Sequence, residues 1–257
     1  MLPEEIGDAA QDAADDDVTR VRAWLDSGGN VNDGDKDGFT LIHCCSLGDR
    51  EGSGVSDANV SLARTLIALG ADVNTCDSSA RDTPLLAVME RASYGEASLE
   101  LVELLLRAKA NPNAKNDYHE TPIKHALAMN MEPPQLGPET GKPIAVLRML
   151  LSAGASLDWS GSNGEERTAE GILGSYYDDT PLANNASVVA IKALFAGVRK
   201  HGTYKRYMRA PHREFLAVRG LAQRGKLSTE HRALNFIAKL GERGVVWHVL
   251  TYWRPTE

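Results

Sequence analysis

Apolar and polar positions along this 257-residue chain repeat one phrase four times. In Val21 to Asn32, Val60 to Asn74, Leu99 to Asn113 and Val146 to Asp158, an apolar run gives way to small residues and then to Asn or Asp. Val102, Leu105 and Leu106, and again Leu147, Leu150 and Leu151, recur at i, i+3 and i+4, the spacing that lines one face of a helix. Such a face needs a neighbour to cover it. One unit alone buries too little surface, so the copies are expected to stack into a continuous core.

Start and stop signals bracket these helices. Thr40, Thr83, Thr121 and Thr168 stand where a hydroxyl caps the first backbone N–H groups, and Pro84 and Pro122 follow at a position whose N–H has no partner to lose. Gly28, Gly70 and Gly154 permit a left-handed exit at the far end. Lys109 fills that place in the third copy and is no natural cap of this kind. The four threonines lie 43, 38 and 47 residues apart, whereas the distance from each exit to the next threonine stays at 12 to 14. The variable length therefore falls between the two helices of a unit, near 48–59, 91–98, 130–143 and 174–186, stretches whose Gly, Ser, Asp and Pro content predicts solvated loops.

The segments that join the units read Asp35-Lys36-Asp37-Gly38-Phe39-Thr40-Leu41-Ile42-His43, Ser79-Ala80-Arg81-Asp82-Thr83-Pro84-Leu85 and Asn116-Asp117-Tyr118-His119-Glu120-Thr121-Pro122-Ile123, with a degraded copy from Asn163 to Ala169. These resemble the ankyrin repeat, whose pattern runs D-x-x-G-x-T-P-L-H-x-A, then two helices, then G-A-x-x-N. The resemblance covers about residues 9–197 and implies an all-α solenoid of helix-turn-helix units with hairpin loops, long inter-helix insertions and a helical cap at the C-terminal end. Residues 9–32, with Val18, Val21 and Leu25 beneath Asp15, Asp16 and Asp17, look like an N-terminal half-repeat, and Val188 to Phe195 supply the second helix of a weak fourth full repeat. The expected organisation is an ankyrin domain over 1–197 and a basic helical module over 198–257, with helices from His212 to Arg224, after a cap at Ser228 or Thr229, and from Val245 to Trp253.

Charge separates the two parts. Residues 198–257 carry 13 Lys or Arg against 4 Asp or Glu, a local +9 in a chain of net charge −7, so the rest carries −16. Leu240 to Trp253 is weakly similar to the opening helix of an F-box, which would make the chain a substrate adaptor of a ubiquitin ligase, although Gly241 stands where that box has Pro. Lys200, Lys205, Arg206, Arg209 and Arg213 interleave with Tyr204 and Tyr207, a mixture suited to phosphate contact and base stacking, but the acidic total disfavours nucleic acid. Cys44, Cys45 and Cys76 are too few and too badly spaced for a disulfide framework or a structural zinc site, and a reducing compartment, cytoplasmic or nuclear, is expected. In the repeat frame His43 and Cys45 fall on core positions. No segment suits a membrane span, and nothing matches a catalytic, cofactor or metal motif, so no enzyme is expected.

The resemblance places a protein partner against the hairpin tips and first helices, together a concave face. Here those positions are Lys36, Asp37, Phe39, Ser79, Ala80, Asp82, Asp117, Tyr118, Glu120, Gly164, Glu165 and Arg167. Phe39 and Tyr118 are the expected anchors, because aromatics among polar residues carry interface energy, and the acidic surround calls for a basic partner.

Overall fold

The computed structural model describes residues 1–49, 54–93, 98–129, 142–211 and 213. The chain forms two compact units, Met1–Phe195 and Ala196–Glu257. In the first, helices follow in pairs: α1 (Glu4–Asp12) with α2 (Asp15–Asp26), α3 (Leu41–Leu47) with α4 (Asp57–Ala68), α5 (Pro84–Ser93) with α6 (Leu99–Arg107), and α7 (Pro122–Ala128) with α8 (Lys142–Ala153). The fourth repeat opens with a two-stranded antiparallel hairpin, β1 (Asp158–Ser160) and β2 (Glu166–Thr168), which sets Trp159 opposite Arg167. It continues through α9 (Ala169–Tyr177), a 3-10 turn at Pro181–Asn184 and α10 (Ala186–His201). First helices form one row, in which α3 packs on α1 and α5 and α7 packs on α5 and α9, while α4, α6 and α8 form the other. This is the mostly helical solenoid that the periodicity calls for.

Local chemistry explains the helix ends. The hydroxyl oxygens of Thr83, Thr121 and Thr168 accept from the N–H groups of Leu86, Lys124 and Gly171 at 3.3, 3.4 and 3.0 Å, and Ser56 and Ser98 cap α4 and α6 in the same way. At the exits, Gly70 and Gly154 take φ of 92° and 101°, and the next residue's N–H reaches back to Leu66 and Leu150 at 2.9 Å in both repeats. Lys109 corrects the expectation drawn from its side chain. It adopts the left-handed turn at φ 71°, and Ala110 N–H reaches Leu105 at the same 2.9 Å. The stack imposes the turn on a residue that does not favour it.

The core sits between the two rows. Leu66, Leu85, Leu105, Ile123, Leu147 and Leu150 are fully buried, each enclosure stabilising by about 1.5–3 kcal/mol. At the N-terminal end the structure departs from the half-repeat starting at residue 9: α1 begins at Glu4 and buries Ile6, Ala9 and Ala10. A left-handed Ala13 at φ 49° breaks α1 from α2, and no glycine marks that break in the sequence.

In the second unit Gly202, at φ 80°, ends α10, and Thr203 Oγ1 accepts from Arg206 N–H at 3.2 Å. A helix therefore runs over 204–211 and takes in Pro211. The hydroxyl of Thr203 is the start signal of this helix. The helices expected from His212 onward and the F-box-like stretch Leu240 to Trp253 lie outside the described residues.

Candidate partner-binding face

Each connecting loop is built around one side chain. Asp35 Oδ1 accepts from the N–H groups of Asp37 and Phe39, both at 2.9 Å. Asp77 accepts from Ser79, Ala80 and Asp82 N–H at 2.7, 2.8 and 2.7 Å, and Asn116 Oδ1 accepts from Tyr118 and Glu120 N–H at 3.1 and 2.9 Å. One side chain thus gathers several backbone donors and fixes the loop. Burial works against ionisation of Asp77, but these donors and the Ser79 hydroxyl outweigh it and hold the carboxyl below its ordinary value.

Neighbouring tips are tied to one another. Ser78 N–H donates to Asp37 O at 2.8 Å, and Asp117 N–H donates to Ala80 O at 2.9 Å. A second tie recurs at the loop bases: the Asn32 side chain donates to Gly70 O at 3.2 Å and accepts from Asp72 N–H at 2.7 Å. Asn74 does the same with Lys109 O and Asn111 N–H, and Asn113 with Gly154 O and Ser156 N–H. The asparagines closing the repeated phrase are couplings between repeats, a role that the phrase alone does not disclose.

His43 makes a third tie. Its Nδ1 accepts from Thr40 N–H at 3.2 Å, which leaves the proton on Nε2 to donate to Asp82 O at 3.1 Å, 39 residues away. Burial holds the ring neutral by lowering its pKa, against the carbonyl of Asp82 and the charge of Asp77. Burial also pushes the Cys44 thiol up to about 12, leaving on the order of 1 part in 10⁵ as thiolate at pH 7, and raises the Cys45 thiol as well. Both thiols are packing groups. Among the described residues no three His, Cys, Asp or Glu side chains are grouped to hold a metal ion.

The residues expected at the face fall into three groups. Lys36, Asp37, Ser79, Asp117 and Tyr118 are exposed at the tips, and Tyr118 is 69% exposed. Phe39 is half-buried with its ring edge-on to His43 at 5.8 Å, so part of its surface is spent on packing. Asp82 and Glu120 are half-buried: Asp82 accepts from Asn116 Nδ2 at 2.9 Å, while Glu120 pairs with Lys124 and, at 3.2 Å, with His125. Ala80 lends its carbonyl to the next tip, Gly164 turns the fourth hairpin at φ 73°, and Arg167 Nε donates to Glu165 at 2.8 Å.

Two further residues belong beside them. Arg81 (φ 58°) and His119 (φ 58°) occupy left-handed positions at the tips, and Arg81 reaches Asp117 Oδ1 at 3.8 Å. Glycine fills the matching places in the first and fourth hairpins at Gly38 and Gly164. A cleft of about 220 Å³ opens between the third and fourth loops, lined by Asn113, Lys115, Thr121, Ile123, Asp158 and Trp159.

Paired helices in two rows, joined by tips that are bonded into a rail, are the architecture of the ankyrin-repeat fold. Residues 81–117 match the family model for the ankyrin repeat. Among the four units that follow α1 and α2, the matched one has the shortest link between its helices, residues 94–98, against 48–56, 129–141 and 178–185 in the others. The chain is also similar, with 38% identity over 72 residues, to an ankyrin repeat protein of Acanthamoeba polyphaga mimivirus. That match takes in 28% of this chain and 43% of the relative, so it spans less than half of the relative's length. Among the described residues no helix is long and apolar enough to cross a membrane.

Proposed function

We propose that the chain is a cytoplasmic scaffold or adaptor that holds a basic protein partner against its hairpin tips and first helices. Ankyrin repeats generally mediate protein–protein interaction and are typically not enzymes. The observation that carries the reading is the rail of tips: backbone bonds from Ser78 to Asp37 and from Asp117 to Ala80 order the face in advance, while Tyr118 stays exposed. A pre-ordered face loses little entropy on binding, and an exposed aromatic that follows Asp117 in the chain suits a cationic side chain or an apolar contact at its centre. Cys44, Cys45 and Cys76 form no disulfide, which fits a reducing compartment.

The test is affinity capture with the intact chain and with Tyr118→Ala, partners being identified by mass spectrometry and stability followed by thermal melting. The reading requires partners that disappear with Tyr118→Ala while the melting temperature holds. A large fall in melting temperature would assign Tyr118 to packing, and capture unchanged by the substitution would move the binding surface elsewhere.

A further inference from the structure

Residues 196–213 hold Arg199, Lys200, Lys205, Arg206, Arg209 and Arg213 and not one Asp or Glu. Arg199 and Lys200 stand in the last turn of α10, where cations complement the helix dipole and need no other account. The remaining four have no such excuse. At about 100° per residue, Lys205, Arg209, Arg213 and Arg206 fall within an arc of about 100° on the helix that starts at 204. All four are exposed, and none pairs with a carboxylate among the described residues. Like charges at i and i+4 destabilise a helix, so this stripe is tolerated at a cost.

The tyrosines, which the sequence interleaves with these cations, lie on the opposite side. Tyr207 and Tyr204 are half-buried and packed together, with ring centroids 6.2 Å apart, and His201 lies 6.1 Å from Tyr207. Tyr207 also covers Gly197 so closely that a Cβ there would lie 2.4 Å from its ring. The aromatics are used inside the unit and are not offered to stacking bases.

We propose that this stripe binds the phosphate backbone of a nucleic-acid duplex, without reading its bases. Protein interfaces are built on buried aromatic and apolar anchors and are depleted in Lys, and the stripe carries no such anchor. A membrane-surface helix sets apolar side chains outward beside its cations, whereas here the tyrosines point in and Met208, 46% exposed, is the only large apolar side chain exposed on the 204–211 segment. Phosphate contact through counterion release needs cations alone, placed on one side and facing water. The stripe belongs to the second unit and the hairpin tips to the first, and the two readings stand or fall independently.

The test uses the full chain and a fluorescein-labelled 20-base-pair DNA duplex, followed by fluorescence anisotropy across a salt series. The triple variant Lys205→Ala, Arg206→Ala, Arg209→Ala is expected to bind at least tenfold more weakly at low salt. Its slope of log affinity against log salt should be shallower by about 2 to 3, near one unit for each lost phosphate contact. Thermal melting confirms that the variant is folded, and Arg22→Ala, at an exposed cation of α2, serves as a control that leaves binding unchanged. Wild-type affinity in the triple variant overturns the proposal. So does displacement of the duplex by polyglutamate or by vesicles containing phosphatidylserine, at matched charge, as readily as by unlabelled duplex.

Discussion

Asn116 gives a side-chain hydrogen to the Asp82 carboxylate at 2.9 Å while its own oxygen gathers the backbone of the following loop. The corresponding side chains in the two preceding loops are Asp35 and Asp77, which can gather a backbone but not donate. The third loop therefore needs an amide, because Asp82 is already crowded. Burial, helped by the charges of Asp77, Glu90 and Glu120, pushes its carboxyl up to about 6, and the bond from Asn116 only partly offsets this. Asn116→Asp is expected to cost about 1–2 kcal/mol at pH 7.5, with the loss shrinking below pH 6 as Asp82 protonates, read by urea unfolding at both pH values.

The same crowding sets a pH dependence. With a folded value of about 6 against about 3.9 when unfolded, Asp82 keeps its proton in the folded state over that window, so its contribution to stability is present at low pH and lost as pH rises through 6. Asp82→Asn removes the carboxylate and keeps the acceptor for Asn116. It should raise stability at pH 7.5 by about 1 kcal/mol, a figure discounted for a half-exposed site, and change nothing at pH 4. Thermal melts of the two proteins at those pH values decide it.

His43 has the opposite sign. Its ring is neutral in the fold because burial depresses its pKa, so the unfolded chain binds the extra proton and stability is lost as pH falls below about 6.5. His43→Gln can still accept from Thr40 N–H in the manner of a capping box but gives up the tie to Asp82. The variant should be about 1–2 kcal/mol less stable at pH 7.5 and lose less than the parent between pH 7.5 and 5.5, as chemical denaturation at each pH would show.

Lys109 in a left-handed turn carries a Cβ that glycine would spare. Lys109→Gly should stabilise the chain by about 0.5–1 kcal/mol, and Gly70→Ala, at φ 92°, should destabilise it by about 1 kcal/mol. Paired urea titrations read both signs in one experiment.

The asparagine ties predict coupling rather than bulk. Asn74→Ala and Asn113→Ala each remove two bonds between repeats, and each should cost about 1 kcal/mol, with the double variant close to their sum since they act at different junctions. Amide exchange should rise at the junction that has lost its tie, which a general loss of packing would not localise.

The stack was legible in the chain because its signals are strictly local: leucines at helical spacing, threonine at each start, glycine at most exits. Lys109 was misread because propensity describes an isolated residue, whereas its turn is held by Asn74 from the repeat before. α1 escaped notice for a related reason, as its break at Ala13 uses alanine where glycine is the usual mark. Tyr118 stands at the surface, in the place that Asp37 takes in the first loop, whereas Phe39, in the place of Glu120, is drawn into packing by a histidine four residues on. Tyr204 and Tyr207 were placed among their basic neighbours by sequence order, and only the helix that Thr203 starts reveals that the two kinds of side chain face apart.

Asp158 closes the repeated phrase where Asn32, Asn74 and Asn113 close it earlier. An ionised carboxyl has no hydrogen to give, so it cannot make the two-way clasp by which each asparagine recruits the unit ahead of it. One atom's difference, oxygen in place of nitrogen, thus takes the donating half of the clasp out of the fourth repeat. A designer wishing to tighten the fourth repeat would begin by restoring the amide at that spot.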